Sequence, residues 1–221
     1  MLPSLFIVFA AIIIAVESFN CPGGQLTPKQ REKIVRQNNV LRSRLIKGKL
    51  KNKDGKYMPR GKNMLQLTWN CQLENSAQRW ADQCVFGHSP RHLRVGIGEN
   101  VYAYWSSASV ESRKNNAGTD AGKSWWEELP KVYKNNPPNM LTANVSFGAL
   151  HFTQMAWGKT HEIGCGIATY CDGGRTLMVI CQYKPAGNMQ GDLIYELGEP
   201  CKKDSDCATK KCNPKSGLCR K

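Results

Sequence analysis

The sequence predicts an α+β domain that follows an export signal. Three observations carry that prediction. Apolar residues recur at helical spacing in the first part of the chain, and near-continuous apolar runs of strand length follow residue 150. Ten cysteines, an even set, all lie beyond a short apolar run at the N-terminus. Helices first and strands later is the order expected of α+β layering.

The elements follow in chain order. Leu5 to Val16 is unbroken apolar sequence closed by Glu17 and Ser18. It is too short to span a bilayer comfortably and reads as a signal peptide, residues 1–18, cleaved after Ser18 or alternatively after Ala15. No later stretch approaches membrane-spanning length, so the mature chain is expected to be soluble and secreted. Thr27-Pro28-Lys29-Gln30 is a helix start, with Thr27 as cap, Pro28 in the first turn and Gln30 completing a capping box. Ile34, Asn38, Leu41 and Leu45 then mark one helical face, and Gly48 suggests its end. Residues 48–62, rich in Lys and Gly, read as an exposed loop. Trp69, Leu73, Ala77, Trp80 and Cys84 suggest a second helix. A third is expected from about Thr119 to Leu129, stopped by Pro130, with a turn-forming loop from Lys134 to Asn139. Phe152–Trp157, Ile163–Tyr170 and Leu177–Tyr183 read as strands, the last as a central one because its apolar run is nearly continuous.

Composition narrows the function classes. Ten cysteines behind an export signal imply five disulfides in an oxidising compartment: Cys21, Cys71, Cys84, Cys165, Cys171, Cys181, Cys201, Cys207, Cys212 and Cys219. The last four sit in a Lys-, Asp- and Ser-rich tail, residues 198–221, that cannot bury a core of its own and needs staples. Two disulfides within the tail allow three pairings, and spacing does not choose among them. The domain expected between signal and tail is residues 19–197. The formal net charge is +14, with thirteen Lys and Arg between Lys29 and Lys62 against Glu32 and Asp54 alone. A cationic surface suits anionic glycans or lipid headgroups. Nucleic acid is not expected as a partner of a secreted chain.

Several segments resemble one family, the cysteine-rich secretory, antigen 5 and pathogenesis-related (CAP) proteins. Leu150-His151-Phe152-Thr153-Gln154-Met155-Ala156-Trp157 is similar to its first signature, and Val179 to Asn188 to its second. Gly98-Glu99-Asn100-Val101-Tyr102, Asn38-Asn39-Val40-Leu41-Arg42, Cys84 to Ser89 and Trp125-Trp126-Glu127-Glu128 match further motifs in the family's order. The matches run from about Thr27 to Met189. The tail and the phrase Cys181-Gln182-Tyr183 with Pro185 to Met189 look most like the nematode activation-associated, venom-allergen-like secreted branch. Two departures stand out: Leu150 replaces a usual Gly or charged residue, and Asn38 replaces His. The resemblance implies a three-layer α-β-α sandwich, and it implies a Cys165–Cys181 disulfide across a strand pair.

It also implies a cavity lined by His88, Glu99, Glu128 and His151. Two imidazoles and two carboxylates suit a divalent metal such as Zn²⁺, bound weakly and not needed for folding. They would also serve as general acid and base around a water. Adjacent helical residues point about 100° apart, so only one of Glu127 and Glu128 can face such a cavity, and the family spacing selects Glu128. Other motifs fail. Gly118 to Ser124 imitates a phosphate-binding loop but has three residues between its glycines instead of four. Gly96-Ile97-Gly98 lacks the third glycine of a dinucleotide fingerprint. His161-Glu162 has no second His at metalloprotease spacing, and no Gly-x-Ser-x-Gly elbow exists.

The function expected is therefore a secreted, non-enzymatic binding protein with a metal-capable cavity and no catalytic residues. Its ligand would be a lipid (sterol or fatty acid) or an extracellular host or matrix partner. The apolar series Met140, Leu141, Val145, Phe147, Leu150 and Phe152 is the candidate lipid surface. The alternatives are a metal-assisted extracellular hydrolase using the same cavity, and a tail that acts as a knob for a receptor or channel. Asn144-Val145-Ser146 is an N-glycosylation sequon.

Overall fold

A computed structural model of the chain describes residues 19–134, 138–146 and 148–221, with backbone alone at 145 and 146. The expected signal peptide, Phe147 and the middle of the Lys134–Asn139 loop lie outside the described residues. Helix α1 spans Pro28–Ile46. Its capping box is formed: Thr27 Oγ1 accepts from Gln30 N, and Gln30 Oε1 accepts from Thr27 N at 2.8 Å. Gly48 follows the helix at φ +66°, a conformation that costs glycine little. The segment after it is less open than expected. Asn52 and Met58 are buried, and Asn52 Oδ1 accepts from Asp54 N and Lys56 N to form a compact turn. It ends in β1, Gly61–Lys62.

Strand β2 is Thr68–Trp69, and helix α2 is Cys71–Ala81, capped by the Asn70 side chain. Strand β3, Gly98–Trp105, is an element the periodicity did not reveal. Helix α3 runs Ala117–Trp126, and the chain bends at Glu127 into a short α4, Glu128–Lys131. Pro130 does not stop the helical course; it sits in the first turn of α4, where its missing N–H leaves nothing unpaired. A short α5 covers Ala143–Ser146.

The segment expected as the first late strand is instead helix α6, Leu150–Met155. Every residue from Phe152 to Trp157 is buried. The run includes Thr153 and Gln154, shows no period-2 alternation, and is too short for periodicity to distinguish strand from helix. Strands β4, Glu162–Tyr170, and β5, Thr176–Lys184, form the long hairpin of the sheet. Short strands β6 (Glu196–Leu197), β7 (Cys212–Asn213) and β8 (Leu218–Cys219) close the chain.

The main sheet has the order β2-β4-β5-β3, so β5 is interior and β3 is an edge. Its two faces are sorted by alternation. Ile163, Cys165, Ile167, Leu177, Val179, Cys181 and Tyr183 join α1, α3 and α6 in the larger core. Ala168, Met178 and Ile180 face α2 through Ala77 and Ala81. Gly164 and Gly166 sit between. A Cβ on Gly164 would fall 2.3 Å from Glu74 N, and one on Gly166 2.3 Å from Gln78 Cα. Two glycines thus let α2 lie directly on β4. The result is a three-layer α-β-α sandwich. Arg42, wholly buried on α1, ties the layer to the turn after α6 by donating to the carbonyls of Leu65, Met155, Trp157 and Thr160. Burial pulls its pKa down to about 9. Asn39 reads Leu67 as a strand would, donating to its carbonyl at 2.9 Å and accepting from its N–H at 2.8 Å.

Five disulfides pair all ten cysteines: Cys21–Cys71, Cys84–Cys171, Cys165–Cys181, Cys201–Cys212 and Cys207–Cys219. Cys165 and Cys181 stand directly opposite each other in the β4/β5 register. The two tail disulfides are local, yet the tail is bonded to the body. Cys219 N donates to Met64 O, Gln66 N donates to Cys219 O, and Leu218 enters the larger core. No helix among the described residues is long and apolar enough to cross a membrane.

Candidate metal centre

The four expected site residues fall into two His–carboxylate pairs. Glu99 lies on β3 opposite Gln182 of β5, and directly opposed antiparallel residues share a face. That is the α2 face, because Gln182 alternates with Cys181 and Tyr183 of the larger core. His88 Nδ1 lies 3.0 Å from Glu99 Oε1. The same carboxylate accepts from Ser89 N at 2.8 Å, Ser89 Oγ at 2.7 Å and Gln182 Nε2 at 3.0 Å. Burial alone would raise its pKa. The hydrogen bonds from His88, Gln182 and Ser89 outweigh that and hold it at about 2.

The next residue of the strand points the other way. Asn100 donates to the backbone carbonyl of His151 at 3.1 Å, which ties β3 to the start of the helix that carries the second pair. His151 stands on α6, and its Nδ1 lies 2.6 Å from Glu128 Oε1 on α4. Glu128 Oε2 accepts from Phe152 N at 2.9 Å, satisfying an orphan donor at the start of α6. Trp125 stacks on the His151 ring at 6.1 Å, and its own Nε1 donates to Val101 O. Glu127, by contrast, pairs with Lys131 on the exposed side.

A carboxylate accepts and does not donate, so the proton in each pair sits on Nδ1. In the neutral ring this places the lone pair on Nε2. Neither Nε2 has a protein partner among the described residues, and the side chains of His88 and His151 are 53% and 37% exposed. Orientation of a ligating His by a carboxylate on its far nitrogen is the usual support of a metal site. The donor chemistry therefore fits a divalent cation held by imidazole. It does not form a closed four-ligand cage. Among the described residues, three potential ligand atoms come within 4.8 Å of one another only at Cys201, Cys207 and Cys212, which are disulfide-bonded.

Ser89, Gln182, Asn100 and Trp125 lie within the matched motifs but were not named as site residues from sequence. Ser89 adjoins His88, which was a usable signal. The role of Gln182 depends on a strand register that composition does not show. The candidate lipid residues divide. Leu141 and Phe152 are fully buried core, whereas Leu150 is 42% exposed. Asn144 is exposed on α5. Phe86 and Trp105, both largely exposed, meet edge to face at 5.3 Å, an apolar surface the motifs did not mark.

Comparison with known proteins places these features. A family model described as the cysteine-rich secretory protein family matches residues 35–183. The Ancylostoma secreted protein of Ancylostoma caninum is 34% identical over 206 residues, covering 90% of this chain and 46% of that protein. Venom allergen 5 of Dolichovespula arenaria is 34% identical over 80% of this chain and 88% of its own length. The chain thus spans about half the length of the first of these relatives. Among solved structures, that of BmVAL-1 is 76% identical, with a TM-score of 0.91 over 92% of this chain and 99% of its own. The crystal structure of NaASP2 with Zn²⁺ is 35% identical, with a TM-score of 0.79 over 90% of this chain and all of its own.

Proposed function

The chain belongs to the cysteine-rich secretory protein family, and we propose that it is a secreted, non-catalytic binding protein whose two imidazoles take a divalent cation. The observation that carries this reading is the pairing of each His Nδ1 with a carboxylate, which leaves both Nε2 atoms open. His88 and His151 are the ligands in this reading, and Glu99 and Glu128 orient them. The relative solved with Zn²⁺ supports the choice of metal. When bound, zinc would supply Lewis acidity, but a hydrolase needs a base beside it as well. Glu99 is a poor base, because four hydrogen bonds hold its pKa at about 2. The Ser89 hydroxyl donates to Glu99 and meets no imidazole among the described residues, so it lacks the base of a serine nucleophile there.

A lipid ligand would not rest on Leu141 or Phe152, which are core. The exposed Phe86–Trp105 pair, beginning two residues before His88, supplies apolar surface for a lipid or an extracellular protein partner. Calorimetric zinc titration tests the cation reading. Wild type should bind one zinc, more weakly as pH falls because protons compete for the same lone pair. His88→Ala and His151→Ala should each abolish the heat. Zinc-dependent peptidase or esterase turnover that disappears with Glu128→Gln would replace this reading with the hydrolase.

A further inference from the structure

The surplus positive charge has a specific place in the fold. Arg31, Arg60, Lys114, Lys131 and Arg175 each meet a carboxylate. Arg36, Arg44, Lys215, Arg220 and Lys221 have no carboxylate partner among the described residues, and all are exposed. On α1, Arg36, Val40 and Arg44 recur at four-residue spacing and so form one outward stripe. The tail lies alongside that stripe. Arg36 and Arg44 from the helix and Lys215 from the tail line a groove of about 550 Å³. Arg220 and Lys221 line a second recess of about 330 Å³. Gln66 borders both, and Asn213 Nδ2 donates to its Oε1 at 3.1 Å, so the two recesses meet at one residue.

We propose that this seam between α1 and the C-terminal segment binds a linear sulfated glycan. Charge complementarity is the first reason. Five cations face Glu32 and Glu162, the carboxylates that also border the two recesses. Uncompensated cations in a recess focus the field and attract a polyanion. Shape is the second reason. A joined pair of recesses follows a chain, whereas a membrane would need a convex or flat basic face. The lining favours a glycan over nucleic acid, because Phe19 and His161 are its only rings and cannot form a run of base-stacking platforms. Preorganisation is the third reason. The tail backbone is fixed by Cys201–Cys212 and Cys207–Cys219. Ser43 Oγ donates to Ser216 O at 2.5 Å, and Lys47 Nζ donates to Lys215 O at 2.8 Å. The cations of the tail are thereby held against those of the helix before any ligand arrives, which lowers the ordering cost of binding. The disulfide-stapled tail, on this account, completes a binding surface that α1 begins.

Surface plasmon resonance on immobilised heparin across a salt series tests the proposal. Two triple variants remove equal charge. Arg36→Ser/Arg44→Ser/Lys215→Ser empties the seam, and Lys49→Ser/Lys53→Ser/Lys56→Ser strips the exposed loop before β1. The seam variant should bind roughly tenfold or more weakly with a shallower salt dependence, and the loop variant should change by no more than about threefold. Arg220→Ser/Lys221→Ser, which touches only the second recess, should give an intermediate loss. All these side chains are exposed, and thermal unfolding identical to wild type would verify that each variant is folded. Equal weakening by the seam and loop triples would overturn the assignment. So would failure of wild type to bind heparin at physiological ionic strength, or tighter binding to phosphatidylserine vesicles or single-stranded DNA than to heparin.

Discussion

The two His–Glu pairs use the same residue types for different ends. Glu99 sits on a strand, its side chain is fully buried, and it accepts four hydrogen bonds. Glu128 sits on a four-residue helix, its side chain is 19% exposed, and it accepts from His151 and Phe152 N. One carboxylate is embedded in the fold and happens to orient an imidazole. The other is lightly held at the junction of two short helices. A carboxylate with more donors is worth more to stability and is less free to do chemistry. The first pair should therefore govern folding, and the second should govern how readily the site responds to a ligand.

Glu99→Gln tests the stronger half. Its amide would turn a donor toward Ser89 or Gln182, where the buried side chain now accepts only. We expect a loss of about 3 kcal/mol, read by denaturant unfolding. A loss comparable to that of Glu128→Gln would erase the contrast. The same group predicts the acid limb. The folded pKa of Glu99 is depressed from 4.5 to about 2. Its contribution is therefore fully present above about pH 4.5 and is lost as pH falls toward 2, amounting to about 3 kcal/mol. An acid titration of stability on wild type and Glu99→Gln should show that limb in wild type and a flatter one in the variant.

Glu128→Gln should cost less, about 1 kcal/mol, because the group is partly solvated and Gln can still accept from Phe152 N. Its larger effect should fall on zinc affinity, weakened roughly tenfold or more through loss of imidazole orientation. His88→Ala should change stability least, by about 0.5 kcal/mol or less for a half-exposed ring, while abolishing zinc binding. A stability loss as large as that of Glu99→Gln would mean that His88 is structural.

Much of the fold that builds these pairs was legible in the sequence, and the remainder has physical reasons for being hidden. The capping box at Thr27 and Gln30 is local chemistry, so α1 could be placed from four residues. The β4/β5 hairpin announced itself by apolar runs. Phe152 to Trp157 misled because so short a buried segment covers less than two helical turns, too few to show the period that separates helix from strand. β3 was missed for a related reason: as an edge strand beside the site, it carries Glu99 and Asn100 where alternation would ask for apolar residues. His88, Glu99, Glu128 and His151 were named through resemblance, not spacing. Their pairing, His88 with Glu99 and His151 with Glu128, depends on how distant segments pack, to which one-dimensional spacing is blind.

The central claim is that both imidazoles present Nε2 to a cation while Nδ1–H stays with its carboxylate. Nitrogen-15 NMR of protein labelled at its four histidines, titrated with Zn²⁺ at neutral pH, reads both nitrogens of each ring. The account predicts that Nε2 of His88 and of His151 shift together and saturate at one equivalent, with both Nδ1 atoms still protonated. Zinc that moves an Nδ1 resonance, moves only one of the two rings, or prefers His92 or His161 would contradict it.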